Sequence, residues 1–323
     1  MVTGVRAGED EREAPAAHPA REGVAMSAQT VQQGRQARSR VAHFRLDVAE
    51  WTVLRRALLS RVPGAVTPAG FTPEAFGLDP DEPLTPDERA RAWASLQLRG
   101  LATHTPVRDD VTGLTPSCVL GMLMLLESDV RVDVSSWSGD VVVNEAVAWS
   151  AGRTAALARR RRRVRTPGGE TLLEQEPVVE ISLSAAGGLL SQVMRALPHH
   201  VGERPADRSP VRVGWPESAA IAEALRLGRD DVALHLSGLP ASALSVLDAV
   251  STDLTGGACV SAARRHDDGA LAFHGVWLWT ETDVVDLVDA TTHGVTLRRT
   301  DLMRVRNGLL TALTGLLHAE EVL

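Results

Sequence analysis

Lysine and tyrosine are both absent from the 323 residues, so all 34 basic side chains are arginine. That usage reads as the mark of a GC-rich genome, and no chemistry is drawn from it. Cysteine is scarce too. Cys118 and Cys259 sit in segments that read as a helix and a strand, with neither CxxC spacing nor a histidine cluster beside them. They are expected to be buried thiols of a reducing compartment, which excludes a disulfide framework. Long apolar runs are missing: the longest, "CVLGMLMLL", is far shorter than the roughly 20 residues of a spanning helix. No secretory apolar region opens the chain, and a soluble cytoplasmic protein is expected. Catalytic signatures are missing as well. There is no P-loop, no GxGxxG after a strand, no GxSxG elbow and no HExxH, so neither enzymatic activity nor a cofactor is expected. A metal site at His266, Asp267 and Asp268 has no supporting pattern, and "RRHDDG" reads as a solvated hairpin turn. Basic charge is in deficit, 34 against 41 acidic residues for a net charge of -7, which argues against a protein dedicated to nucleic acid.

What is present falls into an ordered pattern. Residues 1–40 are polar, without apolar periodicity, and read as a disordered tail in which Met26 is a candidate native start. In "DVAEWTVLRRALL", Asp47 is a helix N-cap, Glu50 completes a capping box, and Trp51, Leu54 and Leu58 share a face. "TPDERARAWASLQLRG" repeats the logic with Thr85, Pro86 and Glu88, and Gly100 ends it. Between them, residues 61–84 read as a Pro/Gly-rich surface connection.

The rest of the chain rhymes. "LTPSCVLGMLMLLESD" and "LPASALSVLDAVSTD" are apolar helices opened by proline, and each leads into four strands. The first set is "VRVDVSSW", "VVVNEAVAW", "RTAALARR" and "VVEISL"; the second is "ACVSAARR", "ALAFHGVWLWT", "DVVDLVDA" and "GVTLRR". A helix closes each set, with Ser184 and Thr300 expected as caps. Between the copies, "VRVGWPESAAIAEALRLG" reads as strand, turn and helix. The expected fold is α+β with two pseudo-symmetric halves, each an antiparallel meander flanked by helices. Expected boundaries are a tail over 1–40, an N-terminal subdomain over 41–198 and a C-terminal one over 199–323.

Several of these stretches resemble the EspG-like, ESX (type VII) secretion-associated family: "FRLDVAEWTVL", "RARAWASLQLRGL", "AGRTAALARR" and the closing "FHGVWLWTETDVVDLVDATTHGVTLRRTDLMRVRNGLLTALTGLL". The resemblance covers roughly residues 44–323. It implies a two-subdomain α+β protein with quasi-twofold symmetry that acts as a cytosolic chaperone. Such a protein binds a helical secretion substrate of the PE/PPE kind and keeps it soluble for export, with no nucleic acid and no membrane insertion. The strand-following segment 162–177 is long against its counterpart "ATTHG", so the identity of the partner does not carry over.

Two features are candidate partner-binding sites. Arg159, Arg161, Arg162, Arg163 and Arg165 lie on one arm of a hairpin turned by "TPGGE". A two-residue loop would set Arg159, Arg161, Arg163 and Arg165 on one face with Glu170, Glu174 and Glu176, a self-neutralised hairpin. A three-residue loop would instead set Arg160 and Arg162 opposite Glu176 and Glu174 and free the odd-numbered arginines. In either case the base of the hairpin packs in the sheet, and Pro177 is expected at an edge or bulge. The competing function is a nucleic-acid-binding regulator using the Arg159–Arg165 tip. The second feature is "FHGVWLWT", where Phe273, Trp277 and Trp279 share a strand face. A covered central strand is the favoured reading, and a tryptophan-lined partner groove the alternative.

Overall fold

Local capping sets the first helices. Glu50 donates its backbone N–H to Asp47 Oδ1 at 2.8 Å, and Asp47 donates its own to the Glu50 carboxylate at 2.8 Å, which opens helix α1 (Val48–Leu59). Thr85 and Glu88 form the same box at the start of α2 (Pro86–Leu98), and Gly100 takes φ +72° just beyond its end. In this computed structural model the described residues are 42–60, 83–185, 188–199, 205, 207–264 and 271–318. The tail over 1–40 and nearly all of the 61–84 connection lie outside them.

Strand β1 (Ala42–Asp47) precedes α1, and α3 (Pro116–Glu127) follows α2. A meander of β2 (Val130–Ser138), β3 (Val141–Ser150), β4 (Arg153–Arg165) and β5 (Thr171–Ala185) comes next, closed by α4 (Leu189–Ala196). The second passage runs β6 (Val211–Gly214), α5 (Trp215–Arg226), α6 (Asp230–Ser237) and α7 (Ala241–Thr252). It continues through β7 (Leu254–Arg264), β8 (Leu271–Thr280), β9 (Val284–Ala290) and β10 (Gly294–Thr300) to α8 (Leu302–His318). The fold is α+β. All strands join one antiparallel sheet in the order β1-β5-β4-β3-β2-β7-β8-β9-β10-β6. Its centre is the β2–β7 pair, in register from Val130 opposite Arg264 to Ser138 opposite Gly256. The connectivity of the first passage, edge strand to closing helix, recurs in the second.

Two expected caps are corrected. Ser184 lies inside β5, and α4 starts five residues later behind Gly188, because the strand keeps its pairing to Thr154 and Arg153. Thr300 is the last residue of β10, and it is Asp301 that accepts the Arg304 backbone N–H at 2.9 Å. The edge strand β1 and helix α6 escaped the sequence reading, the first because its apolar residues merge into the helix pattern that follows.

Three apolar clusters hold the layers. On one face, called the front here, α1, α2 and α3 cover β1, β5, β4 and the inner half of β3 around Trp93, Leu96, Leu157 and Ile181. At the other end of that face, α5, α6 and α7 cover β6, β10 and β9 around Ile221, Val285 and Leu297. On the back, α4 and α8 cover the sheet centre, where Val132, Val260, Trp279 and Leu309 have no accessible surface.

Candidate partner-docking face

Successive strand residues point to opposite faces, so the register shows what the front of β2, β7 and β8 presents. Val130, Val132 and Val134 pack into the back core, which leaves Arg131, Asp133, Ser135 and Trp137 on the front. Asp133 and Ser135 are exposed, as is His274 across the sheet, while Cys259, Ser261, Ala263 and Val276 are half-buried. His274 Nδ1 and Ser261 Oγ lie 2.9 Å apart. Helical layers stand at either end of the front face, but the clusters they form do not include these residues. Among the described residues, the middle of the sheet is therefore covered behind by α4 and α8 and open in front. Small side chains at Ser135, Cys259, Ser261 and Ala263 let a docked segment approach the backbone closely there.

The arginine arm borders this floor. Thr166 donates to Glu170 O at 2.8 Å, and Gly169 donates to Thr166 O at 2.9 Å with φ +85°, so Pro167, Gly168 and Gly169 form a three-residue loop. Of the two loop lengths the sequence allowed, the three-residue one forms, because a glycine in the left-handed region closes the wider turn. Arg161 faces Gln175, Arg162 faces Glu174 and Arg163 faces Leu173. Between Arg161 and Arg159 the register shifts by a bulge that contains Pro177, at the place its missing donor is tolerated. Even-numbered arginines have carboxylate neighbours: Arg162 stands 3.3 Å from Glu176 and Arg160 3.4 Å from Glu180. Arg161, Arg163 and Arg165 have no carboxylate partner among the described residues. The Arg163 guanidinium lies 5.0 Å over the Trp137 ring, which couples the arm to the front floor. Gly257 makes room for that ring, since a Cβ there would sit 2.7 Å from Trp137 Nε1.

Arg159 is placed differently from its neighbours. Only 2% of it is exposed; Nη1 donates to Gln175 Oε1 at 3.3 Å and Nε has no partner. Burial, with Arg161 and Arg55 nearby, lowers its pKa to about 10, so it stays cationic at neutral pH. Its side chain supports the arm from inside and does not reach the surface. Trp277 and Trp279 are likewise buried, at 6% and 0% exposure, under α4 and α8. On the other side of β8, Leu278 packs in the α5–α7 cluster, so the Leu278 end of this strand is covered on both faces. Burial also pushes the Cys118 thiol up to about 12, and it raises the thiol of Cys259. His266, Asp267 and Asp268 lie outside the described residues.

No family model matches the chain, and no curated protein sequence does. Among solved structures, the type VII secretion chaperone EspG5 of Mycobacterium tuberculosis, in complex with the PE25-PPE41 dimer, is similar at TM-score 0.52 and 14% identity, over 84% of this chain and 96% of that one. This chain has an EspG-like fold. A double-hotdog protein of Mycobacterium tuberculosis aligns only at TM-score 0.11 and carries no weight.

The EspG-like sheet explains which surface residues the sequence could not nominate. Asp133 and Ser135 of β2, Ser261 of β7 and His274 of β8 carry no motif, and β2 lies more than a hundred residues before the other two strands. They become neighbours only because β2 pairs with β7. The one available hint was alternation: small or polar side chains interleave with valines and alanines in both strands, the pattern of a sheet covered on one side.

Proposed function

We propose that this protein is a chaperone-like adaptor that binds a helical type VII (ESX) secretion substrate and keeps it soluble for export. The observation that carries the reading is the open centre of the front face, floored by Ser135, Cys259, Ser261 and His274 and walled by helices at both ends. A similarly folded chaperone is known with a PE25-PPE41 dimer bound, and this supports a PE/PPE-like occupant. The substrate's apolar helical tip docks on the floor. Arg161, Arg162, Arg163 and Arg165 steer an acidic partner towards it, with Arg162 partly offset by Glu176. Residues 41–198 and 199–323 act as the two subdomains that supply the opposing walls. The role is binding, not catalysis, and its setting is the cytoplasm; among the described residues no helix is long and apolar enough to cross a membrane.

Co-expression with helical secretion-type proteins encoded beside this gene tests the reading. The wild type is expected to co-purify with one of them, and Ser135→Trp on the open floor is expected to abolish capture while leaving the melting temperature unchanged. Capture that persists in the folded variant would remove the floor from the proposal. The three odd-numbered arginines favour a second reading, a nucleic-acid regulator, for which a gel shift weakening steeply with salt is the required sign. No shift at low salt would dismiss it.

A further inference from the structure

The back face carries one polar row where the rest of its core is apolar. Across the sheet, Glu145 of β3 faces Ala158 of β4, Ala158 faces Glu180 of β5, and Glu180 faces Arg45 of β1. Glu145 is 4% exposed and Glu180 9%. Because Ala158 is short, a cleft of about 390 Å³ opens beside the two carboxyls, walled by Val141, Val143, Pro198 and His199. That volume lies within the range of small-ligand sites. Gln192 of α4 donates to Glu145 Oε1. Arg195 Nη2 stands 3.8 Å from the same oxygen and donates to Ser182 Oγ at 3.3 Å. Arg160 is 3.4 Å and Arg45 3.5 Å from the Glu180 carboxylate.

These ion pairs are long against the 2.7–2.9 Å or so of a well-formed charge-assisted bond. Arg160 and Arg195 have side chains 45% and 44% exposed, so neither guanidinium is locked onto its carboxyl. Three guanidinium groups meet two carboxyls. Burial first, and the neighbouring Glu180 further, push Glu145 towards its neutral form, against the opposing pull of Gln192, Arg195 and Arg160. Three guanidiniums against two carboxyls leave an excess of positive charge, to which any neutralisation of Glu145 adds. A planar guanidinium fork suits a carboxylate or phosphate group.

We infer that this cleft is an anion-binding site that takes a carboxylate or phosphate between Arg160 and Arg195, beside the Glu145 carboxyl. It lies on the opposite face from the proposed substrate floor and does not rest on that reading. The anion is either a free small molecule or the terminal carboxylate of a polypeptide.

Calorimetric titration of the full chain with inorganic phosphate, with succinate, and with a hexapeptide as free acid or C-terminal amide tests the site. Saturable binding of phosphate or succinate assigns it to small anions. Binding of the peptide acid but not the amide, with neither small anion bound, assigns it to a chain terminus. In both cases Arg160→Gln with Arg195→Gln is expected to weaken binding at least about tenfold, the order expected when charge-assisted bonds are lost. Glu145→Gln keeps the shape of the side chain without its titration and gives a readout that does not depend on the arginine variant folding. Wild-type binding is expected to weaken as pH rises and Glu145 ionises, and Glu145→Gln to lose that component. Glu180, Arg45, Arg160, Arg195, His199 and, through Ser182, His43 also face the cleft, and their contributions persist in the variant. No saturable binding of any probe, unchanged binding in the folded arginine variant, or an unchanged pH profile in Glu145→Gln overturns the proposal.

Discussion

Replacing Arg161, Arg163 and Arg165 together by glutamine removes the three unpaired charges of the arm while leaving Arg160–Glu180 and Arg162–Glu176 in place. The fold should tolerate it. Only Arg163 makes a specific contact, over Trp137, and an exposed cation–π pair contributes about 0.5–1 kcal/mol, or a few degrees of melting temperature at most. The kinetic effect follows from Coulomb's law. A unit charge about 8 Å from an opposite one in water interacts by about 0.5 kcal/mol, and physiological salt screens that to about 0.2. Three such charges amount to about 0.6 kcal/mol, a factor of about 2.5 in association rate; at 0.01 M salt the factor rises to about 7. Stopped-flow association with the co-purifying helical partner, across a salt series, measures it. Arg212→Gln, Arg226→Gln and Arg229→Gln at the opposite end of the sheet change the net charge equally and serve as the control. An association rate insensitive to the arm variant at low salt, or slowed as much by the control, refutes steering by the arm.

Trp279→Ala empties a fully buried site between the sheet and its back helices and is expected to cost about 3–5 kcal/mol by chemical denaturation, with no folded, non-binding state. Gly257→Ala places a methyl group against the Trp137 indole and is expected to destabilise by about 1–3 kcal/mol while shifting tryptophan fluorescence. Glu145 has a pKa raised in the folded state, chiefly by burial, so the protonated form is favoured on folding. That contribution is fully present below the unfolded carboxyl range and is lost as pH rises through the raised value. Glu145→Gln should therefore stabilise the protein more at pH 7.5 than at pH 4.5, and thermal melts at the two values check the sign.

Much of the architecture was legible because it rests on short-range rules. Asp47 and Thr85 capped their helices as read, since a capping box needs only residues three apart. The eight meander strands followed from alternation and turn residues. Reading failed where tertiary pairing overrode a local preference. Ser184 is a good cap by type, yet β5 continues through it because β4 offers pairing to its end. Loop length at Pro167–Gly169 was left between two and three residues, and with it the parity of every arginine on the arm.

The sequence by itself determined the helix starts, the repeated order of elements and the alternating strands, because each is encoded within a few neighbouring residues. Tertiary structure alone decided which surfaces are available. Five consecutive arginines look equivalent in the chain. Folding nevertheless buries Arg159, sets Arg160 and Arg162 beside glutamates of β5, and leaves Arg161 and Arg163 facing the front floor. The floor itself exists only because β2 pairs with β7. Its exposure is set by where helices from distant parts of the chain pack, which no local pattern specifies.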